Sequence, residues 1–284
     1  MARLILGNGS GAVALAGARS VLAELVSEWP DLNLTQRSFR EPGADGEAPM
    51  TALAKGQIQL AAAEVAQLPP TLPAGLKLAA VTKRLEPRYT LITRAGTALA
   101  ELNAEHTVGC LSERDGAFVR ALKGDLRTVQ VTGSLDDQLR SLSVGEPSAL
   151  LLPCAHLIRL ERRQLLGERL EPEIFPPAAG QGCTGLIVRE DDDLAAELAY
   201  SLQHRPSFDR VIAERRFAAA LEVQSDYAVG CLARVSSDGD FTLFGAVTHK
   251  EKALTIQADI SGDASEAAAL GAELGADVLA QLAS

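Results

Sequence analysis

The chain has 284 residues, of which 47% are hydrophobic and 4% aromatic, and a formal net charge of -10 at pH 7. That length supports two or three domains with cores of their own, built mainly from Ala, Leu and Val. The acidic balance argues against nucleic acid or an anionic membrane as a partner. No apolar run reaches the roughly 20 residues needed to span a bilayer.

The first expected element is a short buried strand at Leu4–Leu6, entered without a secretory leader pattern, so a cytoplasmic protein is expected. The loop Gly7–Gly11 is rich in glycine but lacks the endings of the phosphate-binding and dinucleotide-binding loops. A helix carrying Leu15, Val21, Leu22 and Leu25 follows, closing near Trp29, and Leu32–Leu34 resumes a strand. Residues 40–50 read as a polar Pro/Gly-rich loop, followed by a helix at Thr51–Gly56 and a strand at Ile58–Val65. Pro69, Pro70 and Pro73 then break the chain before the apolar Leu76–Val81.

The pattern restarts at Pro87–Thr93, read as the crossing into a second domain. Strands are expected at Thr107–Cys110, Thr128–Val131 and Ala149–Leu152, with helices at Gly116–Leu122 and Leu135–Leu142 between them. Pro176–Arg189 returns the chain to the first domain, with a helix from Asp191 to His204. A long helix, Arg210–Leu221, leads to strands at Cys231–Val235, Phe241–Val247 and Leu254–Ile260, with a hairpin signal at Asp238-Gly239. An Ala/Leu helix, Ser265–Leu282, closes the chain. The expected boundaries are therefore 1–86 with 177–205, then 87–176, then 206–284.

Cys110, Cys154, Cys183 and Cys231 are widely separated and are expected to be free thiols. The four histidines stand at no metal-ligand spacing, so no metal is expected.

The run Pro176-Pro-Ala-Ala-Gly-Gln-Gly-Cys-Thr-Gly-Leu-Ile-Val-Arg189 demands close backbone approach before a buried strand. It resembles the Pro-Ala-x-Gly-Gln-Gly segment of the porphobilinogen deaminase (hydroxymethylbilane synthase) family. Ala213-Glu-Arg-Arg-Phe with Leu221-Glu222, and Pro73-Ala-Gly-Leu with Glu86-Pro-Arg88, are similar to two further family segments. The resemblance implies an α/β fold: two periplasmic-binding-protein-like α/β domains with a central cleft, plus a small C-terminal α+β domain. It also implies a monomer acting in tetrapyrrole synthesis on a small acidic pyrrole, with a thioether-bound dipyrromethane cofactor.

Several residues depart from the family pattern. Counting without gaps from Leu221-Glu222, the cofactor cysteine position is Ser225; a gapped alignment would instead offer Cys231. The ungapped register keeps the Asp238-Gly239 hairpin in step. The catalytic aspartate position holds Gln67, which can accept a hydrogen bond but carries no balancing charge. Glu64 is close in sequence but, on a strand, would face the other way.

The family's arginines hold acetate and propionate groups. Its N-terminal arginine is Asn8 here, with Ser10 retained. In Ser112-Glu-Arg114-Asp115 one arginine survives and Asp115 replaces the second. Thr132–Gln138 has lost both family arginines and gained Asp136 and Asp137. Arg159 and Arg88 match family positions, as do Gly180, Gln181 and Gly182. The family's mobile Lys/Gly-rich segment is reduced to Pro49–Gly56, where Lys55 is the one base.

Three readings follow. One is a hydroxymethylbilane synthase-type transferase. The second is a non-catalytic relative that binds a pyrrole, a tetrapyrrole or a partner and carries no dipyrromethane. The third is a changed enzyme using Cys231 or Cys183 as nucleophile. The first loses cofactor attachment, charge stabilisation and substrate contacts together, which weighs against the usual condensation.

Overall fold

The computed structural model describes residues 3–40, 47–252 and 254–283. In chain order, β1 (Arg3–Gly9), α1 (Ala12–Glu28), β2 (Asn33–Phe39), α2 (Glu47–Ala54), β3 (Leu60–Glu64) and β4 (Leu76–Val81) come first. Next are β5 (Tyr89–Thr93), β6 (Thr107–Cys110), α3 (Glu113–Leu122), β7 (Arg127–Gln130), α4 (Leu135–Val144), β8 (Ala149–Pro153), α5 (Cys154–Arg159) and β9 (Glu168–Leu170). The last are β10 (Thr184–Arg189), α6 (Asp193–Ser201), α7 (Arg205–Ala220), β11 (Tyr227–Val235), β12 (Phe241–His249), β13 (Thr255–Gly262) and α8 (Ala267–Leu282).

The chain divides into two compact units. One runs through Leu85 and takes up Gly180–Val211; the other is Glu86–Ala179 with the residues from Ile212 on. The first unit holds a five-stranded sheet of order β2-β1-β3-β10-β4, in which β10 runs antiparallel to both neighbours. The second holds a sheet of order β7-β6-β8-β5-β9, with β5 antiparallel to both β8 and β9. The two sheets thus repeat one plan: three parallel strands, then an antiparallel one that arrives from elsewhere in the sequence. A three-stranded antiparallel sheet, β11-β12-β13, belongs to the second unit. The chain has the α/β fold expected.

Apolar spacing explains the packing. Ala14, Ala18, Val21 and Leu25 fall three or four residues apart, so one face of α1 is buried. That face meets Leu4, Leu6, Leu60, Ala62 and Leu186 in a core that contains no aromatic ring. The rings are concentrated in the second unit, where Tyr89 and Phe118 both pack edge-on against Phe175. Phe217 and Phe241 anchor the core between the small sheet, α7 and α8.

Several boundaries differ from expectation. The strand expected at Leu32–Leu34 extends to Phe39, because β1 supplies a parallel partner over seven residues. Helix α2 already begins at Glu47, within the segment expected to be loop; residues 41–46 of that loop lie outside the described residues. Helix α7 starts at Arg205 rather than Arg210, with Pro206 in its first turn, where a missing N–H costs nothing. The strand expected to reach Val65 ends at Glu64, and Val65–Gln67 is a 3-10 turn. Among the described residues, no helix is long and apolar enough to cross a membrane.

Candidate functional site

In the first unit, the Gly-Gln-Gly motif braces the turn that carries Gln67. Gly180 has φ +74° and Gly182 φ +86°, a region that side-chain-bearing residues rarely adopt. A Cβ on Gly180 would overlap the Val65 side chain, and one on Gly182 would lie 2.9 Å from the Leu85 carbonyl oxygen. The backbone closes the arrangement. Val65 N–H donates to the Cys183 carbonyl at 3.1 Å and Leu85 N–H to that of Gly182 at 3.0 Å. Buried Gln181 accepts from Arg84 Nε at 2.9 Å through its carbonyl. The close approach expected from sequence is therefore to Val65 and Leu85 of this chain.

Gln67 is exposed at the end of that turn. Its position off the strand means that the alternation argument separating it from Glu64 does not apply. Glu64 is buried as the last residue of β3. Gln67 lines a cavity of about 610 Å³ with Met50, Thr51, Lys55, Leu68 and Pro73 among its other walls. The cavity is mostly apolar, with Thr51, Lys55 and Gln67 supplying its polar side chains.

Asn8 is fully buried in β1. Its amide donates to the Gly9 carbonyl at 2.6 Å and to Ser38 Oγ at 3.3 Å, and its Oδ1 accepts from Gln36 at 2.9 Å. Its carboxamide thus ties β1 to β2. Ser10 is exposed, with its N–H donating to the Phe39 carbonyl. Cys183 is fully buried among Val65, Val81 and Val211.

In the second unit, Ser225 is exposed in the turn between α7 and β11. Cys231, in contrast, has no accessible surface and belongs to the core with Phe217, Phe241 and Leu243. Its thiol lies 3.6 Å from the Glu214 carbonyl. The Glu214 side chain, also fully buried, accepts from Ala233 N–H at 2.8 Å.

Ser112 is the N-cap of α3, its hydroxyl accepting from Asp115 N–H at 3.2 Å. Arg114 turns inward. Its Nε donates to the Val229 carbonyl at 2.6 Å, Nη2 to the Pro176 carbonyl, and Nη1 to Asp115 Oδ1 at 2.8 Å. The guanidinium also lies 4.8 Å from the centroid of the Phe118 ring. Asp115 is buried and accepts a second bond from Tyr89 at 2.8 Å. The Tyr89–Asp115 hydrogen bond and the pairing of Asp115 with Arg114 are what the sequence reading missed. Asp115 next to a retained arginine was the available signal.

The remaining positions have local partners. Arg88 pairs with Glu86 at 2.9 Å, and its guanidinium holds the Glu86 carboxyl below its ordinary range. Ser134 caps α4 in a reciprocal box with Asp137, so one of the added acids serves a helix terminus. Arg159 is half-buried at the end of α5. Among the described residues there is no group of three or more His, Cys, Asp or Glu that could hold a metal ion.

Two α/β units of repeated sheet plan, one carrying a glycine-braced turn and the other an arginine set at a helix N-terminus, define a protein of the two-domain α/β class. Residues 47–197 match the family model "Porphobilinogen deaminase, dipyromethane cofactor binding domain". The chain is 38% identical over 288 residues to a porphobilinogen deaminase of Thermus thermophilus, covering 98% of this chain and 96% of that one. It is 34% identical over 302 residues to a porphobilinogen deaminase of Deinococcus radiodurans, again covering 98% and 96%. It belongs to the porphobilinogen deaminase family. Among solved structures, a periplasmic substrate-binding protein of an ABC transporter from Coxiella burnetii is similar at 16% identity and TM-score 0.48, over 76% of this chain and 96% of that one.

Proposed function

We propose that this family member does not build a pyrrole chain on a dipyrromethane and instead serves as a binding protein for an acidic pyrrole or tetrapyrrole. The observation that carries the reading is the state of the two attachment candidates. Ser225 offers an exposed hydroxyl, whose pKa lies far above that of a thiol, so it supplies almost no nucleophilic anion near neutrality. Cys231 offers a thiol, but inside a closed core where no pyrrole can reach it. Neither position fits a covalently held dipyrromethane, although the family model matched here is that of its binding domain.

Two further features support the reading. Gln67 carries no charge to balance a cationic intermediate, and loss of one such electrostatic contact typically costs about 3–4 kcal/mol of transition-state stabilisation. Asn8 and Arg114 are both engaged by the protein itself. The cavity beside Gln67, with Lys55 as its cation, is the ligand site that this reading favours. Sequence identity to the enzymes keeps hydroxymethylbilane synthesis as the competing reading.

The test is the intact mass of protein purified from cells that make porphobilinogen, followed by incubation with porphobilinogen. The expected result is the mass of the unmodified chain with no substrate consumed. An added dipyrromethane, mapped to Ser225 or elsewhere, would overturn the reading, as would steady porphobilinogen consumption.

A further inference from the structure

We propose that Asp115 acts as a built-in ligand for Arg114, filling from within a carboxylate subsite that is then closed to any external acid. The subsite has the parts such a site needs. A guanidinium is fixed by two backbone carbonyls, those of Val229 and Pro176, and backed by the Phe118 ring. With two donors so anchored, Nη1 is directed at one carboxylate oxygen of Asp115 at 2.8 Å, and the Tyr89 hydroxyl converges on that same oxygen. Gly230 is the clearance for this geometry: a Cβ there would lie 2.5 Å from Arg114 Nη2 and 2.6 Å from the Pro176 side chain.

The Arg114 and Asp115 side chains keep only 18% and 3% of their surface accessible. At that burial a lone guanidinium or a lone carboxylate would be strongly disfavoured, so each requires the other or a replacement of the same charge. Asp115 sits in the first turn of α3, where the helix dipole also favours its negative charge. The ligand class follows from the parts: one small carboxylate, accepting from a guanidinium and a phenol. With Asp115 in place, the unit is complete with nothing bound, and a pyrrole acid held by this protein is held without Arg114. This last clause rests on the proposed binding function; the self-filled subsite does not.

The test is chemical rescue. Removing the carboxylate in Asp115→Ala leaves Arg114 buried and unpaired, and the expected loss is about 5–15 °C in Tm. Formate or acetate at tens to hundreds of millimolar is then expected to return at least half of that loss, saturably, against chloride at equal ionic strength. Wild type is expected to gain nothing from the same salts. Rescue should vanish in Arg114→Met/Asp115→Ala. If Asp115→Ala does not fold, Asp115→Ser, which keeps a hydroxyl for Tyr89, is measured identically. The proposal is overturned by absence of carboxylate-specific rescue, by equal rescue in the double variant, or by equal stabilisation of wild type. Because no pyrrole enters this experiment, a covalent dipyrromethane found by mass would sink the proposed function alone, and a missing rescue would sink the subsite alone.

Discussion

The Tyr89 hydroxyl donates to Asp115 Oδ1 at 2.8 Å across 26 residues of sequence, joining β5 to the first turn of α3. Both groups are buried, so the bond is made away from water. Burial, and next the Asp115 charge, push the phenol well above its ordinary pKa. A neutral phenol is therefore a fixed donor to this carboxylate through the physiological range.

Tyr89→Phe should lower stability by about 1.5–3 kcal/mol, the usual worth of a hydrogen bond to a charged group. Urea unfolding would measure it, with the denaturant slope unchanged because the exposed surface is the same. A loss below about 0.5 kcal/mol would mean that Arg114 alone satisfies Asp115.

A pair of glycine variants separates backbone strain from close approach. Gly75 has φ +81° and open space within 4 Å of the point a Cβ would occupy, so Gly75→Ala should cost only the left-handed penalty, about 1–2 kcal/mol. Gly180→Ala carries the same penalty and also collides with Val65, which should add about 1–3 kcal/mol. Equal losses in the two variants would show that the Val65 turn yields freely and that the motif does not brace Gln67.

Stability should fall as pH rises above about 9. Burial, and then the Asp115 charge, push the Cys110 thiol up to about 12, and burial with Glu86 nearby pushes Cys154 up to about 11. In the unfolded chain these groups release their protons near the ordinary thiol value. Between that value and the raised one the folded state binds more protons, so its advantage shrinks with pH. Each group contributes a slope of up to about 1.4 kcal/mol per pH unit. Urea midpoints from pH 8 to 11 would register it, and a flat profile would mean that the thiols reach water in the folded protein.

The fold was legible where local chemistry determines it. Short continuous apolar runs marked most strands of the two large sheets, and a Gly-Gln-Gly sequence before a buried strand pointed to a tight backbone approach. Boundaries moved where a distant partner intervened, as when β1 extended β2 to Phe39. The site was less legible, for the same reason at larger range. Arg114 and Ser112 match positions that the family resemblance assigns to cofactor binding, but the Arg114 partners Val229 and Pro176 lie 115 and 62 residues away. Asp115 read as a reversed charge because it stands where the family resemblance places a second arginine. The Arg114 guanidinium reaches Asp115 because the Val229 and Pro176 carbonyls hold it there, and only the fold supplies those two. Ser225 and Gln67 were matched to family positions by register alone, and their exposure in turns came only with the structure; burial of Cys231 could not be separated from reactivity by spacing alone.

The insertion of β10 between β3 and β4 has a consequence for synthesis on the ribosome. Strand β4 is made roughly a hundred residues before the strand that must flank it, so the nascent sheet waits with two open edges beside each other. All five strands of the other large sheet are encoded between Tyr89 and Leu170, and they can pair as soon as they emerge. The N-terminal sheet therefore stays incomplete until Arg189 has emerged, whereas the other large sheet has all its strands by Leu170 and waits only for the residues from Ile212 on that complete its unit.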